Sequence, residues 1–244
     1  YSAAESKLLR VFQLYKKLIG EQHPDLATHL NNLGLLYQAQ GRYKDAEPLL
    51  IQALEFRKIL RNDKHPDLAV HLNNLAMLYQ EQELYDDAEK LLLQALNLVQ
   101  NLPERQHPDL VTSLDNLGLV YQSKKRFSEA EPLLIRALEI RKRLLHKDHP
   151  DIANSLSNIG SFYYAQQRYL EAESVFLEAL YLREKILGDE HPATIKTINN
   201  LAVLYRSQGH HDKAEVLFIK ALSIAEKRLG TGHPDTVILP THKG

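Results

Sequence analysis

The 244-residue sequence contains no cysteine, so disulfide frameworks, thiolate metal sites and cysteine nucleophiles are excluded from the start. It has no excess of charge either. Thirty lysines and arginines stand against 31 aspartates and glutamates, a formal net charge of −1, which supplies no overall field for drawing in nucleic acid or an anionic membrane. No apolar run approaches the roughly 18–20 residues that span a bilayer, and the first nine residues lack a basic segment followed by an apolar core. A cytoplasmic protein with no membrane or nucleic-acid partner is the expectation. Also missing are a glycine-rich phosphate loop, a Gly-x-Ser-x-Gly elbow and a His-Glu-x-x-His helix. Charge pairs such as Glu139 with Arg143 have the spacing of a helix surface and not of a catalytic dyad. Nothing in the chain implies an enzyme, a cofactor or a metal.

What remains is ordinary globular composition, 44% hydrophobic and 25% charged, organised by repetition. His-Pro occurs at His23, His65, His107, His149, His191 and His233, each step 42 residues without an insertion. The same step carries Ala-Glu at Ala46, Ala88, Ala130, Ala172 and Ala214, with an earlier copy at Ala4, and a tyrosine at Tyr37, Tyr79, Tyr121, Tyr163 and Tyr205. A fixed period of this length marks a stacked repeat architecture.

Within one period, Leu30, Leu33, Gly34 and Tyr37 recur at intervals of three and four, one buried face of a helix over about residues 25–40. Proline at its opening and Asp25 beside it suit a helix start, and the Gln-Gly-Arg turn at Gln40 to Arg42 ends it. A second helix over about residues 43–60 places Ala46, Leu49, Leu50, Ala53 and Leu54 on one stripe, with Pro48 and Pro132 expected in the first turn of their helices, where proline costs little. Ala53, Ala95, Ala137, Ala179 and Ala221 are alanine in every copy, so the helices of neighbouring hairpins can approach closely. No such unit buries its apolar face alone, and neighbours must stack. The fold expected is therefore all-α, a right-handed α-solenoid of stacked antiparallel helix pairs. It divides into a second helix of an incomplete repeat over 1–22, five full repeats over 23–64, 65–106, 107–148, 149–190 and 191–232, and the start of another over 233–244. The absence of an initial methionine and the half-repeat at 1–22 suggest a piece of a longer chain.

Leucine, Leu-Gly or Leu-Ala, tyrosine, then alanine, a large apolar residue and a second alanine, here Leu30, Leu33, Gly34, Tyr37, Ala46, Leu50 and Ala53, resemble the tetratricopeptide repeat. The 42-residue form with His-Pro-Asp and Asn-Asn-Leu is similar to the repeats of kinesin light chain, in a bacterial version. The resemblance covers nearly the whole chain and implies a concave groove, lined by the first helices, that holds an extended or helical peptide.

Asparagine occupies one groove position in all five repeats: Asn32, Asn74, Asn116, Asn158 and Asn200. An amide carries both donor and acceptor and can pair with a peptide group whatever its side chain, so this ladder is read either as a backbone clamp or as a device that stabilises stacking between first helices. The preceding position varies, Asn31, Asn73, Asp115, Ser157 and Asn199, and is expected to set selectivity. Lys196 and Arg206 could meet acidic groups of a ligand, as the resemblance to kinesin light chain suggests, or stand as solvated surface charges, the reading two isolated cations favour. Tyr164 replaces Gln38, Gln80 and Gln122 and could anchor a ligand side chain, whereas Leu35, Met77, Leu119 and Val203 are expected to pack. Six of the 12 histidines belong to the His-Pro turn and should stand on the order of 10 Å apart in stacked helices, too far to share the roughly 2 Å shell of a zinc ion. The expected function is a non-enzymatic scaffold or adaptor that binds a peptide or protein segment. The alternatives are end-to-end self-association into an array, or a sensor arm of a larger signalling protein.

Overall fold

The computed structural model describes residues 24–61, 65–100, 102 and 108–229, along with residues 10 and 14. The rest of the half-repeat expected over 1–22, the histidines His23, His107 and His233, and the segment 233–244 lie outside the described residues. Ten helices occur among those described: α1 Pro24–Ala39, α2 Tyr43–Arg61, α3 Leu68–Glu81, α4 Tyr85–Val99, α5 Pro108–Ser123, α6 Phe127–Leu144, α7 Pro150–Ala165, α8 Tyr169–Leu187, α9 Pro192–Ser207 and α10 His211–Leu229. They fall in two compact units, residues 1–133 and 134–244. In the first, α1 packs on α2 and α3 on α4, and the pairs are joined through α2 with α3, α4 with α5, and the first helices α1, α3 and α5 in succession. In the second, α7 packs on α8 and α9 on α10, with α8 against α9 and α7 against α9.

The helices start and stop for local reasons that recur. His149 and His191 sit in extended backbone ahead of Pro150 and Pro192, and each imidazole Nδ1 accepts a hydrogen bond at 3.2 Å from the backbone N–H two residues on, that of Asp151 and of Ala193. His65 does the same for Asp67. His149 and His191 are thus N-caps, a role worth about 1 kcal/mol, and Pro150 and Pro192 fill the N1 position where no N–H is missed, whereas α3 starts later, at Leu68 behind Asp67. At the other end each first helix closes with a six-to-one bond to its tyrosine carbonyl, from Arg42, Leu84, Arg126, Arg168 and His210, around a residue with positive φ. Glycine fills that position at Gly41 and Gly209, but Glu83, Lys125 and Gln167 fill it in the middle repeats. There the left-handed backbone costs roughly 1 kcal/mol.

Core contacts follow the alanine pattern. Ala53, Ala95, Ala137, Ala179 and Ala221 have no exposed surface, and Leu50, Leu92, Leu134 and Phe176 are at most 2% exposed; burying one such side chain stabilises by about 1.5–3 kcal/mol. Gly34 and Gly160 let α2 and α8 come close. A Cβ at Gly34 would lie 2.8 Å from Leu50, and at Gly160 it would lie 2.5 Å from the Phe176 ring. Pro48 and Pro132 depart from expectation, for each is the sixth residue of its helix and lies beyond the first turn. Both are on the exposed face along with Lys44 and Ser128, four residues back, so the carbonyl that each proline leaves unbonded faces water.

The Ala-Glu motif acquires a partner that the spacing had not suggested. The tyrosine of one first helix donates from its hydroxyl to the glutamate of the preceding second helix, Tyr79 to Glu47 at 3.0 Å and Tyr205 to Glu173 at 2.7 Å. Desolvation, then this bond to a carboxylate, push both phenols up to about 12. At three other copies of this tyrosine an arginine covers the ring, Arg42 over Tyr37 at 4.0 Å, Arg126 over Tyr121 and Arg168 over Tyr163 each at 4.2 Å, a cation–π contact on its face.

Candidate functional site

The polar positions of the first helices divide by depth. Asn31, Asn73, Asp115 and Ser157 are buried, 7, 2, 8 and 8% exposed; they lie between neighbouring first helices and not on an open wall. The ladder position is more accessible: Asn32 is exposed and Asn74, Asn158 and Asn200 are half-buried, with Asn116 buried. The residue expected to vary for selectivity is therefore the deeper of the two in repeats 1, 2 and 4, while Asp115 and Asn116 are equally buried and Asn199 and Asn200 are both half-buried.

In the first unit the two positions bond to each other. Asn74 Nδ2 donates to Asn31 Oδ1 at 2.8 Å across α3 and α1, the stacking role realised at this step. At the next step Asn73 Nδ2 donates to Ser113 Oγ at 2.9 Å, while Asn73 Oδ1 and Asn116 Nδ2 are buried without a partner.

In the second unit the corresponding step is open. Ser157 Oγ is buried with no hydrogen-bond partner, and a cleft of about 190 Å³ lies between α7 and α9. Asn154, Ser157, Asn158 and Ser161 line one side and Lys196 and Asn200 the other, with Arg183 of α8 completing it. Neither a carboxylate nor an apolar side chain lines it. Asn199, beside Asn200, keeps a buried Oδ1 without a donor.

Arg183 was not among the residues singled out from the sequence. It is 6% exposed, and its Nη1 donates to Ala193 O at 2.9 Å and to Thr197 Oγ1, and its Nη2 to Asn154 Oδ1 at 2.9 Å. Burial holds its pKa below the ordinary arginine value, with no carboxylate to oppose the shift. Arginine recurs at this position as Arg57 and Arg141. Arg141 Nη1 donates to Ser155 Oγ at 2.6 Å. Arg57 Nη2 donates to Thr28 Oγ1 at 3.1 Å, but its Nε and the neighbouring His71 Nδ1 are buried and unpartnered; desolvation first, then the Arg57 charge, lower His71 to about 4. A charged residue recurring at 42-residue steps on a second helix, where Val99 and Ala225 stand in other repeats, was the available signal.

The structure separates Lys196 from Arg206. Lys196 lines the cleft, whereas Arg206, ten residues or about 15 Å further along the helix, lies over the Phe218 ring at 5.5 Å. Tyr164 is held too: its hydroxyl is 2.8 Å from Ser207 Oγ and its ring 6.0 Å from that of Tyr169. His210 packs against Tyr205 and His211 is exposed. Among the described residues no group of three or more His, Cys, Asp or Glu side chains could hold a metal ion, and no helix is long and apolar enough to cross a membrane.

Successive antiparallel helix pairs with a polar first-helix face define an α-helical repeat protein. More narrowly, the chain belongs to the tetratricopeptide repeat family, whose profile matches residues 1–59, 67–143 and 151–227; members are typically protein- or peptide-binding modules. Among proteins of curated function none matches the sequence. Solved structures do. BtubC, the bacterial kinesin light chain of P. vanneervenii, is 25% identical over 99% of this chain and 94% of its own, with a TM-score of 0.76. A Podosopora anserina protein of nearly identical TPR-like repeats, assigned to the kinesin light chains, is 25% identical over 86% of this chain and 99% of its own, with a TM-score of 0.71. NprR, solved with its cognate peptide NprX, is 22% identical over 91% of this chain and 63% of its own, with a TM-score of 0.65.

Proposed function

We propose that this chain is a non-enzymatic adaptor module that binds a peptide or protein segment along its first-helix face. The observation that carries the reading is the α7–α9 cleft: polar on every side, with the buried Ser157 hydroxyl left unbonded. Buried polar atoms are seldom left without a partner, because each costs about 1–3 kcal/mol. A peptide backbone offers both an acceptor and a donor to such a row. Asn158 and Asn200 are the clamp residues best placed for this, since Asn74 is already used in stacking.

The test is affinity capture from lysate on the immobilised chain, wild type against the double variant Asn158→Ala with Asn200→Ala, with bound proteins identified by mass spectrometry. Two hydrogen bonds lost should weaken a ligand by roughly 10- to 100-fold while the melting temperature stays within a degree or two. Equal recovery on both forms would sink the reading.

A further inference from the structure

Arg183 is a buried cation without a counter-ion. Arginine has five N–H donors, and the structure occupies three of them, two on Nη1 and one on Nη2, all with neutral acceptors. Nε–H and the second Nη2–H have no acceptor among the described residues. A buried guanidinium ordinarily sits against a carboxylate, because taking an unneutralised charge out of water is costly. Here the cleft beside it adds a second cation, the exposed Lys196, for which the described residues provide no ion pair, and the remaining lining is amides and hydroxyls. Ser157, whose hydroxyl is buried and unbonded, stands in the lining with an unused donor.

Two positive charges, no negative one, and converging N–H and O–H donors specify the missing occupant. It should be small, doubly negative and rich in acceptors. A carboxylate, with one charge and two oxygens, would leave one cation unneutralised. A phosphoryl group carries −1.5 to −2 near neutral pH and three strong acceptor oxygens, and arginine binds such groups through paired N–H donors.

We propose that the cleft between α7 and α9, walled by Arg183, Lys196, Ser157, Asn158 and Asn200, is a binding site for a dianionic phosphoryl group, carried on a phosphorylated side chain of the peptide that occupies the first-helix face. The inference rests on the adaptor reading only for what carries the phosphoryl group; the site itself is read without any peptide. The equivalent place in the first unit lacks it: Val70 stands where Lys196 does, and the Asn74–Asn31 bond closes the gap.

The experiment is a titration of the intact chain, followed through the arginine Nε–Hε resonances by NMR. The probes are inorganic phosphate, O-phosphoserine blocked at both termini, and acetate, each at ionic strength matched with chloride. The site predicts a saturable shift at Arg183, absent at Arg57, with phosphate and blocked phosphoserine, and acetate at least tenfold weaker. Lys196→Gln and Asn200→Ala change side chains with no hydrogen bond to the described protein, so they leave the fold intact. Each should weaken phosphate on the order of tenfold, the loss of one charge-assisted bond, even if Arg183→Gln fails to fold. No saturable shift, an equal shift at Arg57, or acetate matching phosphate would overturn the site. Phosphate binding with blocked phosphoserine excluded would overturn the peptide-borne source and leave a free phosphate ligand. Because peptide capture and anion titration are separate readouts, loss of one with retention of the other says which of the two readings has failed.

Discussion

Asn31 with Asn74 in the first unit, and Ser157 with Asn200 in the second, stand at the same two positions of the repeat, and only the first pair is bonded. One difference is a side chain's reach, although at the α3–α5 step Asn73 and Asn116 stand at these positions without bonding each other. The asparagine amide oxygen of Asn31 is one bond further from the backbone than the Ser157 hydroxyl, and it meets the amide of the next first helix at 2.8 Å; Ser157 Oγ meets nothing. A second contrast lies beneath the first. Arg183 finds Thr197 as an acceptor, whereas Arg57 faces His71, which accepts nothing from it. The α1–α3 step spends its polar face on cohesion and the α7–α9 step leaves it unbonded, although the apolar pattern in the two is the same.

The largest effect expected from this contrast depends on pH and belongs to the first unit alone. His71 has its folded-state pKa lowered to about 4 from an unfolded value near 6.5. Between those values the unfolded chain binds the proton and the folded chain does not, so the stability held above pH 6.5 is lost as the pH falls towards 4. A shift of this size corresponds to about 3 kcal/mol. His71→Thr, copying Thr197, should remove that loss: the stability difference between variant and wild type should grow by about 3 kcal/mol from pH 7 to pH 4, measured by urea unfolding. A difference independent of pH would mean that His71 is charged or solvated in the folded protein, and the contrast with Thr197 would fail.

Next in size is a packing contrast. Gly160→Ala puts a methyl group 2.5 Å from the Phe176 ring and should cost about 2 kcal/mol. Gly34→Ala should cost less, since the Leu50 side chain it meets at 2.8 Å can rotate aside. Ala202 already tolerates Phe218 at the equivalent position, so a neutral Gly160→Ala would show that α7 can shift as α9 has done. Smaller still is the cohesion bond. Asn74→Ala should cost about 1 kcal/mol by stranding the buried Asn31 oxygen, while Asn200→Ala should leave stability unchanged. Equal costs would erase the distinction between the closed and the open step.

How far these features were legible in the sequence follows from what repeats. Helix positions, the small alanine contacts and the shared polar face all recur at every step of 42, and periodicity exposes them. The His-Pro pair was visible as a motif, but its capping bond was not, because it depends on the imidazole Nδ1 turning back onto the backbone. The turns at Glu83, Lys125 and Gln167 were hidden for the opposite reason: side chains ordinarily absent from left-handed backbone are held there by a hydrogen-bonding pattern common to all five. Arg183 was missed because its position carries arginine in three repeats and a small apolar residue in two, and such a mixture reads as a helix surface when depth is unknown. Lys196 and Arg206 were paired by composition, and the length of one helix keeps them apart.

The finest test converts one step into the other. Ser157→Asn installs at the open step the amide that Asn31 supplies at the closed one. Asn200 can then donate to it as Asn74 donates to Asn31, and the added bond should raise stability by about 0.5–1 kcal/mol, a small upward shift in urea midpoint with unchanged slope. The larger side chain would occupy the cleft that Ser157 leaves empty. A gain in stability accompanied by loss of phosphate binding would establish that cohesion and ligand binding compete for the same polar atoms. A gain with binding intact would mean that the two steps differ for some reason other than the reach of residue 157. A loss of stability would indicate that α7 and α9 are held apart by their backbones, with the side chain merely filling the space this leaves.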